Sequence, residues 1–116
     1  MRFALGRLVF GALCTVALAQ TACPAAGPEA LAPEALPLEV RADYEVFADR
    51  CSKCHALSRP LNSGIVSDEH WAMYVGRMRR QPGSGISLED ADVILRFLHY
   101  YSLEQIRKQH LTGSRS

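Results

Sequence analysis

Apolar side chains recur at helical spacing in three stretches of the chain after residue 37. The first stretch has intervals of four, three and four residues between its apolar positions Val40, Tyr44, Phe47 and Cys51. The next two stretches repeat the helical period, with the sets Trp71, Tyr74, Val75 and Met78, and Ala91, Val93, Ile94, Leu95, Phe97, Leu98 and Tyr101. This is the period of an amphipathic helix, and no stretch alternates with the period of a strand. The pattern predicts an all-α fold of three to four helices.

Capping and helix-breaking residues predict where these helices begin and end. Ser67 and Ser87 are predicted N-caps of the second and third helices, because a serine hydroxyl there accepts a hydrogen bond from a free backbone N–H. Pro82-Gly83 predicts the end of the second helix near Arg80. Residues 59–64 are predicted to form a loop, and Ser102 is predicted to restart a short helix over residues 102–111.

The start of the chain is typical of an export signal. Residues 1–7 contain Arg2 and Arg7 and no acid, residues 8–19 are apolar, and small residues follow. Residues 1–22 are therefore predicted to be an export signal, and the periplasm is the expected location. Residues 23–37 contain four prolines and are predicted to be a semi-rigid tether. The folded domain is expected over residues 38–111, with a disordered tail over residues 112–116.

Charge and cysteine content narrow the possible partners. The 116 residues carry a formal net charge of only +1, without the basic footprint of a nucleic-acid-binding domain, so nucleic acid is not an expected partner. Removal of the signal takes Cys14 with it and leaves Cys23 as an odd cysteine. Membrane association is expected only if Cys23 is lipidated; the alternative is an incidental thiol in the tether.

The sequence Cys51-Ser52-Lys53-Cys54-His55 follows the first predicted helix and is the attachment motif of haem c. Two thiols at this spacing add across the two haem vinyl groups, and the adjacent imidazole is then brought to the iron. Cys51 and Cys54 are therefore predicted to hold one haem covalently, with His55 as its proximal ligand.

Three other interpretations of this motif fit the sequence less well. A structural zinc site needs two further ligands, and no second Cys-x-x-Cys or His-x₃-His cluster is present. A thioredoxin-like dithiol requires a βαβ setting, which the helical pattern does not provide. A disulfide between Cys51 and Cys54 would leave His55 unexplained.

The candidates for the sixth iron ligand are Met73, Met78, His70, His99 and His110. At about 100° per residue, Met78 lies on the apolar stripe of the second helix with Trp71 and Tyr74, whereas Met73 lies on the opposite side. Met78 is the predicted distal ligand, with a histidine or an open position as the alternatives.

Other residues are predicted to surround the cofactor. Trp71, Tyr74 and Phe97 are expected to pack on the porphyrin, although their spacing suits ordinary core residues equally. Arg59 is the predicted partner of a haem propionate, with Arg79 and Arg80 as alternatives. A backbone carbonyl near Pro60 is expected to accept the Nδ1 proton of His55.

These features together resemble the small monohaem class I c-type cytochromes of bacteria. The resemblance rests on Cys51-Ser-Lys-Cys-His55, Trp71-x-x-x-Val75-x-Arg77-Met78, Pro82-Gly83, Ile86-Ser87-x-x-Asp90 and Ile94-x-x-Phe97-Leu98. It is greatest with the haem subunits and domains that work beside periplasmic dehydrogenases, such as those that oxidise sulfite or amines. The resemblance implies a class I cytochrome c fold and assigns the distal ligand to Met78. The interval between His55 and Met78 is shorter than in larger members of the class.

The expected function is electron transfer between proteins, by a haem cycling between Fe(II) and Fe(III). Such a carrier is not itself an enzyme, and its partner is a redox protein such as a periplasmic dehydrogenase. One alternative is a haem subunit bound permanently to a dehydrogenase. A second is a ligand-binding haem sensor or peroxidase, which requires an open or weakly held sixth position.

Overall fold

A computed structural model describes residues 29–114 of the chain. A short 3₁₀ turn, Pro33–Ala35, precedes four helices: α1 (Leu38–Cys51), α2 (Ser58–Leu61), α3 (Asp68–Arg79) and α4 (Leu88–Gly113). No strand occurs within this range. The predicted all-α class and helix number are confirmed for the described residues.

The observed helix ends agree with most of the predicted caps. Helix α1 ends at Cys51 and thus leads directly into the Cys-x-x-Cys-His motif. The hydroxyl of Ser67 accepts the backbone N–H of His70 at 3.2 Å, which caps α3. Ser87 and Asp90 form a reciprocal capping box at the start of α4, with hydrogen bonds of 2.9 and 3.0 Å.

Two predicted boundaries are wrong. The predicted loop at residues 59–64 begins within α2, where Pro60 and Leu61 are buried in the core. Helix α4 continues through Ser102, where the sequence predicted a break and restart. Tyr101 and Ser102 are buried in the middle of this helix, so their tertiary contacts favour continuation over a new N-cap.

The core lies where α4 packs against α1 on one side and against α3 on the other. Between α1 and α4, the ring centroids of Phe47 and Phe97 are 4.7 Å apart, and those of Tyr44 and Phe97 are 5.2 Å apart. Close aromatic pairs of this kind contribute about 0.5–1.5 kcal/mol beyond their buried area. The aromatic cluster therefore fixes α1, and with it the motif at its end, against α4.

Two buried hydrogen bonds attach the remaining helices to α4. The indole Nε1 of Trp71 donates to the hydroxyl of Ser102 at 2.8 Å, which joins α3 to α4. The hydroxyl of Tyr101 donates to the carbonyl of Leu61 at 2.7 Å, which joins α4 to α2. Helix α4 is thus the element against which the others are positioned.

The described part of the predicted tether contacts the helical domain. The hydroxyl of Tyr44 donates to the Leu31 carbonyl at 2.8 Å and accepts the Leu31 N–H at 3.0 Å. Leu36 belongs to the buried core. The predicted export signal and Cys23 lie outside the described residues. Between residues 29 and 114, none of the helices has the length and apolar character needed to cross a membrane.

Candidate functional site: a cavity at the Cys-x-x-Cys-His motif

A largely apolar cavity of about 350 Å³ opens beside the end of α1. Its size falls within the range of roughly 300–1,000 Å³ that is typical of ligand and cofactor sites. All four helices and the segments between them supply its wall, with α2 contributing only Pro60. The wall comprises Phe47, Arg50, Cys51, Cys54, His55, Pro60, Tyr74, Val75, Met78, Gln81, Pro82, Ser84, Ile86, Ile94 and Leu98. The site is therefore assembled from parts of the sequence that only the fold brings together.

All three reactive residues of the motif line this cavity. Cys51 is half-buried and Cys54 is exposed, and neither thiol takes part in a disulfide. Burial raises the pKa of the Cys51 thiol from 9.0 to about 11, which keeps it in the neutral form at physiological pH. Both sulfurs are thus available on the wall of one apolar space.

The orientation of His55 follows from a local hydrogen bond. Its Nδ1 lies 3.1 Å from the carbonyl oxygen of Ala56, which can only accept, so Nδ1 carries the proton. The Nε2 lone pair then remains free to bind a metal. The expected acceptor near Pro60 is wrong, because the carbonyl directly after His55 is nearer along the chain and takes this role.

Among the five candidate distal ligands, only Met78 lines the cavity. It lies on the α3 face that also carries buried Trp71 and Val75, as the helical phase predicted. Met73 is 58% exposed, and His70 and His110 are exposed as well. The imidazole of His99 instead meets the carboxylate of Asp68, 2.9 Å away on the surface.

Of the three aromatic residues predicted to pack on the porphyrin, one lines the cavity and two lie behind its wall. Tyr74 lines the cavity directly. Trp71 and Phe97 do not line it: Trp71 meets the Tyr74 ring edge-on at 5.6 Å, and Phe97 packs behind Phe47. The two residues support the cavity wall from the core, while Ile94 and Leu98 present α4 to the cavity.

An arginine that the sequence analysis did not single out lines the cavity, and the pairing of Arg59 with a propionate stays a prediction. Arg59 is exposed on α2 and does not line the wall, whereas Arg50 does. The Arg50 Nε is 3.0 Å from a carboxylate oxygen of Asp90, so the guanidinium bridges the end of α1 and the first turn of α4. In the sequence, only the position of Arg50 directly before Cys51 could have indicated that it lies at the cavity.

The donor set of the cavity wall suits a haem more closely than it suits a bare metal ion. Two thiols, an imidazole and a thioether face one mostly apolar space, and these are the groups that attach and ligate haem c. Within residues 29–114, no cluster of three or more His, Cys, Asp or Glu side chains could hold a metal ion. Arg50 is the one permanently charged residue of the wall, and a carboxylate already accompanies it.

No family model, curated protein or solved structure matches this chain. The chemistry of the cavity wall is therefore what bears on function.

Proposed function

We propose that the chain is an exported c-type cytochrome that carries one covalent haem and transfers single electrons between redox proteins. The observation that carries this proposal is the meeting of Cys51, Cys54, His55 and Met78 at one apolar cavity. The first three residues belong to the motif at the end of α1, whereas Met78 reaches the cavity from α3. The resemblance to class I cytochromes c supports the same conclusion.

In this proposal, four residues of the wall have defined roles toward the haem. Cys51 and Cys54 would hold the haem through thioethers, and His55 and Met78 would ligate its iron. A haem so ligated supplies reversible one-electron chemistry, and a thioether ligand raises its reduction potential relative to a second histidine.

The chain itself tunes this chemistry through its backbone and its apolar wall. The Ala56 carbonyl accepts the Nδ1 proton of His55, which orients the ring and increases the basicity of Nε2. Val75, Ile94 and Leu98 exclude water from the cavity and thereby lower its dielectric constant. Electron transfer of this kind binds no substrate, so the proposed protein is a carrier and not an enzyme.

The location and partner follow from the same proposal. Covalent haem attachment suits export to the periplasm, where the resembling proteins work beside dehydrogenases. The expected partner is therefore a periplasmic redox protein, met in a small and transient interface. The proposal includes attachment to a membrane only if Cys23 is lipidated.

Acidic organic extraction tests the proposal directly. The chain is produced with its export signal in a host that matures c-type cytochromes, purified, denatured and extracted with acidified solvent. The haem colour should remain with the polypeptide. The variant Cys51→Ala/Cys54→Ala is the matched control and should release any haem that it binds. Extraction of the colour from the native protein, or a colourless native protein, contradicts the proposal.

A further inference from the structure

Arg50 is held in the cavity wall by a carboxylate from another helix. Its Nε lies 3.0 Å from Oδ2 of Asp90, the acid of the capping box at the start of α4. The same oxygen accepts the backbone N–H of Ser87 at 3.0 Å. The side chains of Arg50 and Asp90 are only 31% and 18% exposed, so water screens this ion pair less than an ordinary surface pair. The guanidinium therefore has a fixed place beside the cavity.

A second carboxylate near Arg50 balances its charge less effectively. An oxygen of Asp49 lies 3.4 Å from Nη1 of Arg50, but the same oxygen also meets the ammonium of Lys53 at 3.8 Å. The Asp49 side chain is 65% exposed, and exposed charges are screened more strongly than partly buried ones. Asp90 is therefore the main counter-charge of Arg50.

The charge of Arg50 shares the cavity wall with the proposed iron ligands. Arg50, His55 and Met78 line one largely apolar space, and Arg50 is its one permanently charged residue. Two unit charges about 10 Å apart, at an effective dielectric constant of about 20, change an equilibrium constant on the order of tenfold. A positive charge at the wall disfavours Fe(III), which carries one more positive charge than Fe(II), and a negative charge favours it.

We propose that the ion pair of Arg50 and Asp90 tunes the reduction potential of the haem: Arg50 raises the potential, and Asp90 holds it below the value that the arginine alone would give. The inference rests on the proposed function and adds to it a means by which this chain regulates the site. The hydrogen bond from the Ser87 backbone is the largest cause that lowers the pKa of the Asp90 carboxyl. Asp90 therefore keeps its charge at neutral pH when Arg50 is replaced, and each charge is removable separately.

Redox titration of the haem-loaded protein at neutral pH tests the two charges. Dithionite supplies the electrons, mediator dyes pass them singly to Fe(III), and absorbance follows its reduction to Fe(II). Arg50→Gln should decrease the equilibrium constant for reduction roughly tenfold, and Asp90→Asn should increase it roughly threefold or more. Arg50→Lys keeps the charge and should remain within about twofold of native. The double variant Arg50→Gln/Asp90→Asn should lie between the two single variants.

A second ion pair between α1 and α4 provides the matched control. Arg96 of α4 meets Asp43 of α1 at 2.8 Å, and neither residue lines the cavity. Asp43 precedes Arg50 by about 10 Å along α1, at a rise of 1.5 Å per residue. Arg96→Gln and Asp43→Asn should lower the unfolding free energy, as the variants of Arg50 and Asp90 do. The control variants should nevertheless keep the equilibrium constant for reduction within about twofold of native.

The direction of the shifts separates charge from packing. Shifts of the same direction in Arg50→Gln and Asp90→Asn would mean that a loosened contact between α1 and α4 alters the potential, and would overturn the inference. Equal shifts in the variants of Arg96 and Asp43, or no shift in any variant, would also overturn it. A native protein that carries no haem would overturn the proposed function, and the inference with it.

Discussion

The indole of Trp71 donates a hydrogen bond of 2.8 Å to the hydroxyl of Ser102, and both side chains are almost completely buried. The two residues are 31 positions apart, on α3 and α4. Because α3 also carries Tyr74 and Met78, this bond fixes the rotation of the helix that supplies one side of the cavity wall.

The variant Ser102→Ala should therefore lose about 1–3 kcal/mol of unfolding free energy, because it leaves the buried indole N–H without an acceptor. Denaturant titration measures the loss. Ser114→Ala, at an exposed position after α4, is the control and should be neutral. A double-mutant cycle with Trp71→Phe should show coupling between the two sites; additive losses would contradict the role of this bond.

Substitution of Met78 should open the sixth iron position in the proposed haem protein. Met78→Ala should abolish the iron–thioether charge-transfer band of the oxidised protein and allow the reduced protein to bind carbon monoxide. Met73→Ala, which changes a mostly exposed methionine on the same helix, should leave both properties as in the native protein. The opposite pattern in the two variants would mean that Met73 is the ligand.

Loss of the Tyr44 hydroxyl should release the segment before α1. Tyr44→Phe keeps the aromatic ring in the core but removes both hydrogen bonds to Leu31. Backbone amides of residues 31–36 should then exchange hydrogen faster, with a loss of about 0.5–1.5 kcal/mol of unfolding free energy. Tyr100→Phe, at a half-buried position on α4, is the control. Unchanged exchange at Leu31 in Tyr44→Phe would show that the segment is held by other contacts.

The carboxyl of Asp90 should contribute a pH-dependent part of the stability. Its hydrogen bond from the Ser87 backbone N–H, together with the charge of Arg50, lowers its pKa below the ordinary 3.8. Since the folded-state pKa is the lower one, this stabilisation is fully present above pH 3.8 and is lost as the pH falls through the folded-state value. Asp90→Asn should therefore be less stable than native at neutral pH, with a difference that shrinks on acidification.

Unfolding free energies of both proteins between neutral and acidic pH measure this difference. Glu89→Gln changes an exposed acid of the same helical turn and provides the control. A difference between native and Asp90→Asn that stays constant with pH would show that the hydrogen bonds, and not the charge, account for the contribution of Asp90.

Features that depend on neighbours in sequence were predicted well. The caps at Ser67 and Ser87 satisfy backbone groups within three residues, and the position of Met78 follows from the helical period from Trp71 onward. The motif at the end of α1 was likewise placed correctly, since an unbroken apolar stripe leads into Cys51. Interactions between residues that are close in sequence are sufficient to predict each of these features.

Features that depend on distant residues were not predictable in this way. Serine often caps the start of a helix, which is why Ser102 was predicted to begin one. Its hydroxyl instead accepts a hydrogen bond from the indole of Trp71, 31 positions away in the sequence. The broad apolar arc of α4 did not reveal that Ile94 and Leu98 face the cavity while Phe97 faces α1. The place of Arg50 in the cavity wall, paired with Asp90, depends on the packing of α1 on α4.

The unbroken course of α4 has a practical consequence for labelling the molecule. After its last buried residue, Ser102, the helix continues for a further eleven residues, from Leu103 to Gly113, or about 16 Å. A fluorophore or fused reporter placed near Gly113 is therefore carried on a stiff arm, remote from the cavity mouth. A label at this position would follow the tumbling of the whole domain and its distance from a second labelled molecule. It would not touch the residues of the cavity wall.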